Sequence, residues 1–362
     1  MRFYGILAVK FLSYSSLDCR RPMECGGMTM KSKTKNRLTG QQIRKLVEYH
    51  FGKECEISRI EELKGGMFNA SYMISRVKEK DKIVLKAGVV PGTPLLTYEQ
   101  DIMPTEVECY RLIKEHTTVP VPTILAYDFS KTQINSNYFF MTALSGTTLS
   151  GTAKKMDPGS LARIRQKQAE YLAQLHRIKG TYYGYFTEDK SRQYATWKDA
   201  FFHMFAQILE DAKEHRVRLP YEQIARVLRE NAGYLEDITE PSLVEYDCHD
   251  GNIFVKETAD GYEIEGIVDF ERAFWGDAAA DFPAAFIMTD DLRKEKAFLD
   301  GYLKASGRPE YTEADAKRYQ LYRLYITVIM AAETFRYGFF YSKMQGMWAK
   351  AQIKKCLDEL EK

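Results

Sequence analysis

The densest group of residues able to do chemistry lies between Leu243 and Val255. Asp247 and Asn252 stand five positions apart in a polar stretch between two β-like segments, and Asp269 ends the apolar run that follows. Phosphoryl transfer needs one carboxylate to orient or deprotonate a hydroxyl, and an amide oxygen and a second carboxylate to hold Mg²⁺ against a triphosphate. Each residue alone is more often a polar turn or a strand cap, but their order and spacing together favour this chemistry.

Residues nearer the N-terminus supply matching phosphate-binding groups. Gly65 and Gly66 form a turn between two β-rich runs, where backbone N–H groups can approach phosphate oxygens without a Cβ in the way. Lys86 lies on the next apolar run, where a lysine is either a solvent-facing residue or a phosphate clamp. Glu106, in the helix predicted to follow, is expected to pair with Lys86, and Glu108 is the competing candidate.

Other phosphate-binding and hydrolytic motifs are absent from the sequence. No G-x-x-x-x-G-K-[ST] loop occurs, because Lys154 follows Gly146–Gly151 two residues too late. No G-x-G-x-x-G follows a predicted strand, and no G-x-S-x-G is present. A P-loop enzyme, a dinucleotide-binding fold and the common hydrolase elbow are therefore disfavoured.

The elements that must position these residues change in character near residue 146. Before it, apolar residues at helical spacing predict a helix that begins near Ile43 and ends at Gly52. Five strands and one inserted helix, Thr105–His116, are predicted to follow as a small α+β lobe. The predicted strands are Glu56–Leu63, Ala70–Val77, Lys82–Ala87, Ile124–Phe129 and Tyr138–Leu144.

After Gly146 the pattern is mostly helical, interrupted by a hairpin that turns at Asp260-Gly261. The predicted helices are Leu161–Ile178, Trp197–Leu209, Tyr221–Leu235, Phe298–Leu303, Ala314–Phe335 and Tyr341–Leu360, and the hairpin strands are Asn252–Lys256 and Glu263–Val268. We predict a flexible or misassigned leader at 1–36, an N-terminal nucleotide-binding lobe at 37–145, and a C-terminal catalytic and substrate lobe at 146–362.

Composition excludes several classes of protein. The 362 residues carry 52 Lys and Arg against 50 Asp and Glu, a net charge of +2, so no broad basic face for nucleic acid is expected. Six cysteines are too few for a disulfide scaffold of this length. No apolar run approaches the roughly 18 residues of a membrane helix. We expect a cytoplasmic enzyme that binds neither nucleic acid nor membrane, and the sequence predicts no particular oligomeric state.

On these residues, from about Gly40 to the end, the sequence resembles the aminoglycoside phosphotransferase and choline-kinase-like family. Asp247–Asn252 is similar to its catalytic loop, and Ile267–Glu271, with Asp277 and Asp281 beyond it, is similar to its metal-binding segment. Gly65–Asn69 resembles its nucleotide loop and Phe139–Gly146 its hinge.

The resemblance implies a bilobal protein-kinase-like fold of the α+β class. Its small N-terminal lobe would hold a mostly antiparallel sheet, and its larger C-terminal lobe would be mainly helical. The implied activity is transfer of the γ-phosphate of Mg·ATP to a hydroxyl of a small molecule. The implied roles are Asp247 as catalytic base, Asn252 and Asp269 as Mg²⁺ ligands, Gly65, Gly66, Asn69, Lys86 and Glu106 at the nucleotide, and backbone groups near Thr142 and Leu144 at the adenine.

Two departures from the family pattern stand beside Asp247. Glu245 and Tyr246 occupy the places where the family has His-Gly. Glu245 is expected to pair with a cation elsewhere in the lobe; if it faced Asp247 instead, like-charge repulsion would raise the pKa of Asp247. His176 is expected to pack near the catalytic loop, and Glu333 to be either a substrate ligand or a partnered structural carboxylate.

Three functions remain open from the sequence. A small-molecule kinase is favoured, because every residue that the chemistry directly requires is present. A protein kinase is disfavoured, since Asp269-Phe-Glu replaces D-F-G and no A-P-E motif follows. A nucleotide-binding pseudokinase or scaffold is the third, and its support is the Glu245-Tyr246 replacement.

Overall fold

The computed structural model describes residues 35–63 and 68–362 of the chain. Gly65, Gly66 and nearly all of the predicted leader at 1–36 therefore lie outside the described residues. Within the described ranges, no helix is both long and apolar enough to cross a membrane.

A five-stranded antiparallel sheet forms the N-terminal lobe, with its strands in the order β1-β2-β3-β5-β4. The strands are β1 (Ile57–Leu63), β2 (Ala70–Arg76), β3 (Ile83–Ala87), β4 (Ile124–Asp128) and β5 (Tyr138–Thr142). All five residues of the central strand β3 are buried, including Lys86. The predicted strands are confirmed, although β5 ends two residues earlier than expected, at Thr142.

Two helices, α1 (Gly40–Phe51) and α2 (Ile102–His116), cover this sheet. The buried face of α1 packs in one apolar cluster with Phe140, whereas the buried face of α2 packs in another with Phe139. Because successive side chains of a strand point to opposite faces, the two helices lie on opposite sides of the sheet. The inserted helix therefore sits on the side of the sheet that faces the rest of the chain.

Capping fixes both ends of α1. Thr39 accepts a hydrogen bond from the Gln42 amide, and the Gln42 side chain accepts one from the Thr39 amide, which completes a capping box. Gly52 ends the helix with φ of +85°, a value that favours glycine. The predicted role of Gly52 as the end of this helix is confirmed.

The C-terminal lobe is mainly helical, and α4 packs along α8 while α9 packs along α10. Its helices are α3 (Leu149–Thr152), α4 (Pro158–Leu175), α5 (Trp197–Glu214), α6 (Tyr221–Glu230), α7 (Asp281–Ala285), α8 (Lys296–Ser306), α9 (Glu313–Ala332) and α10 (Phe339–Leu360). The predicted helices Tyr221–Leu235 and Ala314–Phe335 are shorter than expected, since 3₁₀ turns at Ala232–Leu235 and Glu333–Arg336 replace their last turns.

Two small sheets lie within this helical lobe. One has the order β10-β9-β6 and the other the order β7-β11-β8. Their strands are β6 (Thr147–Thr148), β7 (Gly184–Tyr185), β8 (Ser242–Val244), β9 (Ile253–Thr258), β10 (Gly261–Ile267) and β11 (Phe274–Gly276). The predicted hairpin is confirmed as β9–β10, and its turn residue Gly261 has φ of +115°. Asp247 and Asn252 lie between β8 and β9, and Asp269 follows β10.

A 3₁₀ turn at Thr97–Glu99, just before α2, joins the two lobes through polar contacts. We call this turn the cross-lobe clamp. Its contacts run from Thr97 to Asp211, from Tyr98 to Glu333, and from Glu99 to Arg336. The Glu99–Arg336 ion pair is bidentate, at 2.5 and 2.8 Å, and both side chains are buried. The start of α2 is therefore fixed to the C-terminal lobe.

Candidate active site

Hydrogen bonds to backbone carbonyl groups hold Asp247 and Asn252 in one tight loop. The Asn252 side-chain amide donates to the Asp247 carbonyl oxygen at 3.0 Å, and the Asn252 carbonyl oxygen accepts from the Val268 amide at 3.0 Å. The second bond brings the segment before Asp269 against the loop. With its Nδ2 atom engaged, Asn252 has Oδ1 as the side-chain atom able to act as a ligand.

The Asp247 side chain is partly open to solvent, at 22% exposure, and its Oδ1 atom lies 3.7 Å from Nε2 of His249. Burial raises the pKa of Asp247, while the positive charges of His249 and Arg272 oppose that rise. His249 itself accepts a hydrogen bond from the Gly251 amide through Nδ1, which holds its ring within the loop.

Lys86 is the centre of the densest ionic cluster described. Its Nζ atom lies 2.6 Å from Glu106, 2.6 Å from Asp269 and 2.9 Å from Glu271. Glu108, the competing candidate, instead forms an exposed ion pair with Arg111. One buried ammonium thus joins the central strand β3, helix α2 and the segment that follows β10.

The three carboxylates of this cluster differ in their affinity for protons. Burial raises the pKa of Glu106 to about 8 and that of Glu271 to about 7, against the opposing charge of Lys86. Burial also acts on Asp269, but the Lys86 ammonium holds the pKa of Asp269 below its ordinary value. Because three carboxylates share one buried ammonium, the cluster retains a proton near neutral pH.

Glu271 was not among the predicted site residues. The sequence did show it, as the last residue of the segment Ile267–Glu271 and as a difference from D-F-G, but no role was assigned to it. In the structure its Oε2 atom also accepts a hydrogen bond from the Asn69 side chain at 2.7 Å. Asn69 is buried, and its Oδ1 atom has no hydrogen-bond partner among the described residues.

The donor set in this region suits a hard divalent cation. Carboxylate oxygens of Glu106, Asp269 and Glu271 lie within 4.8 Å of one another. Asp269 adopts a left-handed conformation, with φ of +77°, and its amide donates to the Tyr110 hydroxyl at 3.2 Å. Mg²⁺ prefers carboxylate and amide oxygens, so these residues, together with Asn252, fit that ion.

The predicted hinge residues lie at the end of β5. The Thr142 amide donates to the Thr123 carbonyl at 2.9 Å, and the Thr142 hydroxyl accepts from the Thr123 amide at 2.9 Å. The Thr142 amide is therefore engaged, whereas the Leu144 amide has no partner within residues 35–63 and 68–362. Beyond it, Glu265 accepts hydrogen bonds from the amides of Ser145 and Gly146.

The expectation that Glu245 pairs with a cation is wrong. Its side chain is fully buried, Oε2 accepts a hydrogen bond from the Asp247 amide at 3.0 Å, and Oε1 has no partner in the described part of the chain. Burial, together with the negative charges of Asp281 and Asp247, raises the pKa of Glu245 well above its ordinary value. The large like-charge effect therefore falls on Glu245, whereas Asp269 and Glu333 are the acids that raise the pKa of Asp247.

Tyr246 stands in the left-handed region, with φ of +64°, at the place where the family has glycine. The Asp281 carboxylate holds this strained residue, because it accepts hydrogen bonds from the Tyr246 amide at 2.5 Å and from the Glu245 amide at 3.2 Å. Nε2 of His176 lies 2.8 Å from the same Asp281 carboxylate. His176, the residue after the end of α4, thus packs against the catalytic loop as expected.

Arg272 and Glu333 form an ion pair at 3.1 Å, and the charges of both residues act on Asp247. Glu333 also accepts hydrogen bonds from Tyr98, at 2.5 Å, and from Tyr337, at 3.1 Å. Of the two roles considered for Glu333, the partnered structural carboxylate matches these contacts. Arg272 was not predicted, since its partner lies 61 residues away and no local spacing indicates it.

The sequence of the chain is similar to one known protein family. The sequence matches the phosphotransferase enzyme family over residues 60–317, more than half of the chain. Among curated proteins, no sequence matches the chain.

Several solved structures share the fold. A suspected aminoglycoside phosphotransferase from Ralstonia eutropha is 14% identical, with a TM-score of 0.63 over 90% of this chain and 99% of that one. Aminoglycoside phosphotransferase APH(4)-Ia, in a ternary complex with AMP-PNP and hygromycin B, is 17% identical, with a TM-score of 0.60 over 88% and 98%. ADP-bound APH(2'')-Ib is 14% identical, with a TM-score of 0.57 over 88% and 99%. The predicted bilobal kinase-like fold is confirmed, and the chain belongs to the phosphotransferase enzyme family.

Proposed function

We propose that the protein transfers the γ-phosphoryl group of Mg·ATP to a hydroxyl group of a small molecule. The observation that carries this proposal is the position of Lys86, held at 2.6 Å by both Glu106 and Asp269. This arrangement places an ammonium for phosphates beside a candidate metal ligand. Two structural relatives support the nucleotide, since one was crystallised with AMP-PNP and hygromycin B and the other with ADP.

Asp247 is the proposed catalytic base. Its carboxylate accepts the hydrogen bond of the acceptor hydroxyl and orients that oxygen towards the γ-phosphorus. As the new O–P bond forms and the bond to the β-phosphate oxygen breaks, the hydroxyl proton passes to Asp247 and ADP leaves. The raised pKa of Asp247 makes it a better proton acceptor than an exposed aspartate.

Asn252 and Asp269 are the proposed Mg²⁺ ligands, and Glu271 offers a further oxygen beside them. The bound ion would supply positive charge against the phosphate oxygens. Lys86 lies among three carboxylates, and its ammonium would share its hydrogen bonds between them and the phosphates. The proposed donors are all oxygen atoms, which matches the preference of Mg²⁺.

The nucleotide is proposed to lie between the sheet and the catalytic loop. Gly65, Gly66 and Asn69 would cover its phosphates, and the free amide of Leu144, with backbone groups near Thr142, would bind the adenine. The division into lobes at 37–145 and 146–362 follows from this placement, because the hinge residues then lie between the two nucleotide-binding surfaces.

The acceptor is proposed to be a neutral or mildly charged hydroxylated molecule. Over residues 285–362, Lys and Arg outnumber Asp and Glu by 14 to 11. Glu333, whose charge acts on Asp247, already pairs with Arg272, and Glu99 pairs with Arg336. Glu245 has no cationic partner among the described residues, but it is fully buried. A polycation needs unpaired carboxylates, and this wall of the site supplies few of them.

The test compares Asp247→Asn with Asp260→Asn, which makes the same change in the exposed turn of the β9–β10 hairpin. ADP release is measured with Mg·ATP and a panel of hydroxylated acceptors. We expect Asp247→Asn to bind ATP normally but to lose about 10²–10⁴-fold in kcat. A variant that keeps more than a tenth of the wild-type rate would remove Asp247 from the proposed role, and ATP binding without any turnover in wild type would favour the pseudokinase.

A further inference from the structure

Three consecutive amides before and at the proposed base are held by two buried carboxyl groups. Asp281 accepts the amides of Glu245 and Tyr246, and Glu245 accepts the amide of Asp247 through Oε2 at 3.0 Å. Both Glu245 and Asp281 are fully buried. The backbone that carries the proposed base therefore rests directly on the Glu245 side chain.

The two carboxyl groups have different surroundings. Asp281 has His176 at 2.8 Å, whereas no cation contacts Glu245 in the described part of the chain. The ionisable groups that face Glu245 are the carboxylates of Asp281, Asp247 and Asp269 and the thiols of Cys109 and Cys248. Since each of these groups is either negative or neutral, a second negative charge at Glu245 would be repelled and unsolvated.

We propose that Glu245 is a positioning residue for Asp247, which it holds through the Asp247 amide as an uncharged carboxylic acid. This inference rests on the proposed role of Asp247. Only the carbonyl-like oxygen of Glu245 is needed, so a neutral side chain with an oxygen in the same place performs the same function. A side chain without that oxygen leaves the Asp247 amide unbonded and the carboxylate misplaced.

The same geometry explains how Tyr246 is tolerated in a left-handed conformation. A tyrosine at φ of +64° is strained, and such strain persists only where the surroundings determine the backbone on both sides. Asp281 accepts hydrogen bonds from the amides of Glu245 and Tyr246, and the Glu245 side chain accepts one from the amide of the next residue, Asp247. Removal of the Glu245 oxygen therefore breaks the hydrogen bond that fixes the backbone between Tyr246 and Asp247.

Four forms of the full-length protein test this role: wild type, Glu245→Gln, Glu245→Ala and Glu263→Gln, a control at an exposed glutamate of β10. Steady-state kcat and the KM for ATP are measured from pH 6 to pH 9. We expect Glu245→Gln and the control to stay within about threefold of wild type at pH 7, and Glu245→Ala to lose about 10- to 100-fold in kcat with an unchanged KM for ATP. Above the pH at which Glu245 ionises in the folded protein, wild type should lose kcat, and Glu245→Gln should retain it.

Each outcome separates the two proposals. Equal kcat in wild type and Glu245→Ala contradicts the positioning role, and so does a folded Glu245→Gln that is as slow as Glu245→Ala. Identical pH profiles of kcat in wild type and Glu245→Gln contradict the requirement that Glu245 be uncharged for the positioning of Asp247. Absence of turnover in wild type and Glu263→Gln alike contradicts the proposed function instead.

Discussion

Replacement of Glu245 by glutamine should stabilise the protein, and the gain should increase with pH. In the unfolded chain Glu245 ionises near its ordinary pKa of 4.5, whereas burial beside Asp281 raises the pKa of the folded group well above that value. Above pH 4.5, Glu245 is therefore ionised in the unfolded chain and must take up a proton when the protein folds. The cost grows by about 1.4 kcal/mol for each pH unit until the folded pKa is reached, and glutamine does not incur it.

Between pH 4.5 and the folded pKa, the stability difference between Glu245→Gln and wild type should thus widen by that amount with each pH unit. For a chain of this length, each kcal/mol corresponds to about 1–2 °C in the melting temperature. Thermal unfolding of wild type, Glu245→Gln and Glu263→Gln at several pH values measures it. The exposed control should follow wild type at every pH.

The shape of the curve decides the outcome. A difference that grows and then levels off marks the pH at which Glu245 ionises in the folded protein. A constant difference over the whole range would show that Glu245 is ionised when buried, and it would refute the reasoning from burial without a cation. This measurement needs no substrate, so it is independent of the proposed reaction.

Three further outcomes are expected. Asp269→Ala should abolish Mg²⁺-dependent binding of ATP in calorimetry, because a hard-cation ligand is lost, and an unchanged affinity would exclude Asp269 from the metal site. Lys86→Met should weaken ATP binding by about tenfold or more, whereas Lys80→Met on the exposed β2–β3 connection should not; equal affinities would make Lys86 a purely structural residue. Kanamycin-like aminoglycosides should be poor acceptors, with kcat/KM below about 10⁴ M⁻¹s⁻¹, and higher values for several of them would overturn the acceptor proposal.

Local patterns in the sequence were sufficient to predict the elements that carry the site. A short apolar run placed Lys86 on a predicted strand, and helical spacing placed Glu106 on the inserted helix. The D-x4-N spacing identified a loop whose two ends are joined by the Asn252–Asp247 hydrogen bond. These features depend on neighbours in sequence, so a periodic pattern is able to reveal them.

Contacts between distant parts of the chain could not be predicted in the same way. Arg336 pairs with Glu99 across 237 positions, and Lys86 meets Glu271 across 185. Periodicity shows which face of an element is buried but not which charge it meets there. For the same reason Glu245 was assigned a cationic partner, since a buried glutamate usually has one and only the fold shows that carboxylates and thiols surround it.

The cross-lobe clamp has a consequence for regulation. In protein kinases, activity is controlled by moving the helix that supplies the glutamate to the strand lysine. Here the turn before α2 is tied to the opposite lobe by the buried Glu99–Arg336 pair and by the bonds of Thr97 to Asp211. Movement of Glu106 away from Lys86 would require the buried Glu99–Arg336 ion pair to break. Breaking a buried ion pair costs several kcal/mol, because it leaves an unpaired charge inside the protein. Helix α2 is thus a fixed part of the scaffold, and control by movement of this helix, as in protein kinases, is disfavoured here.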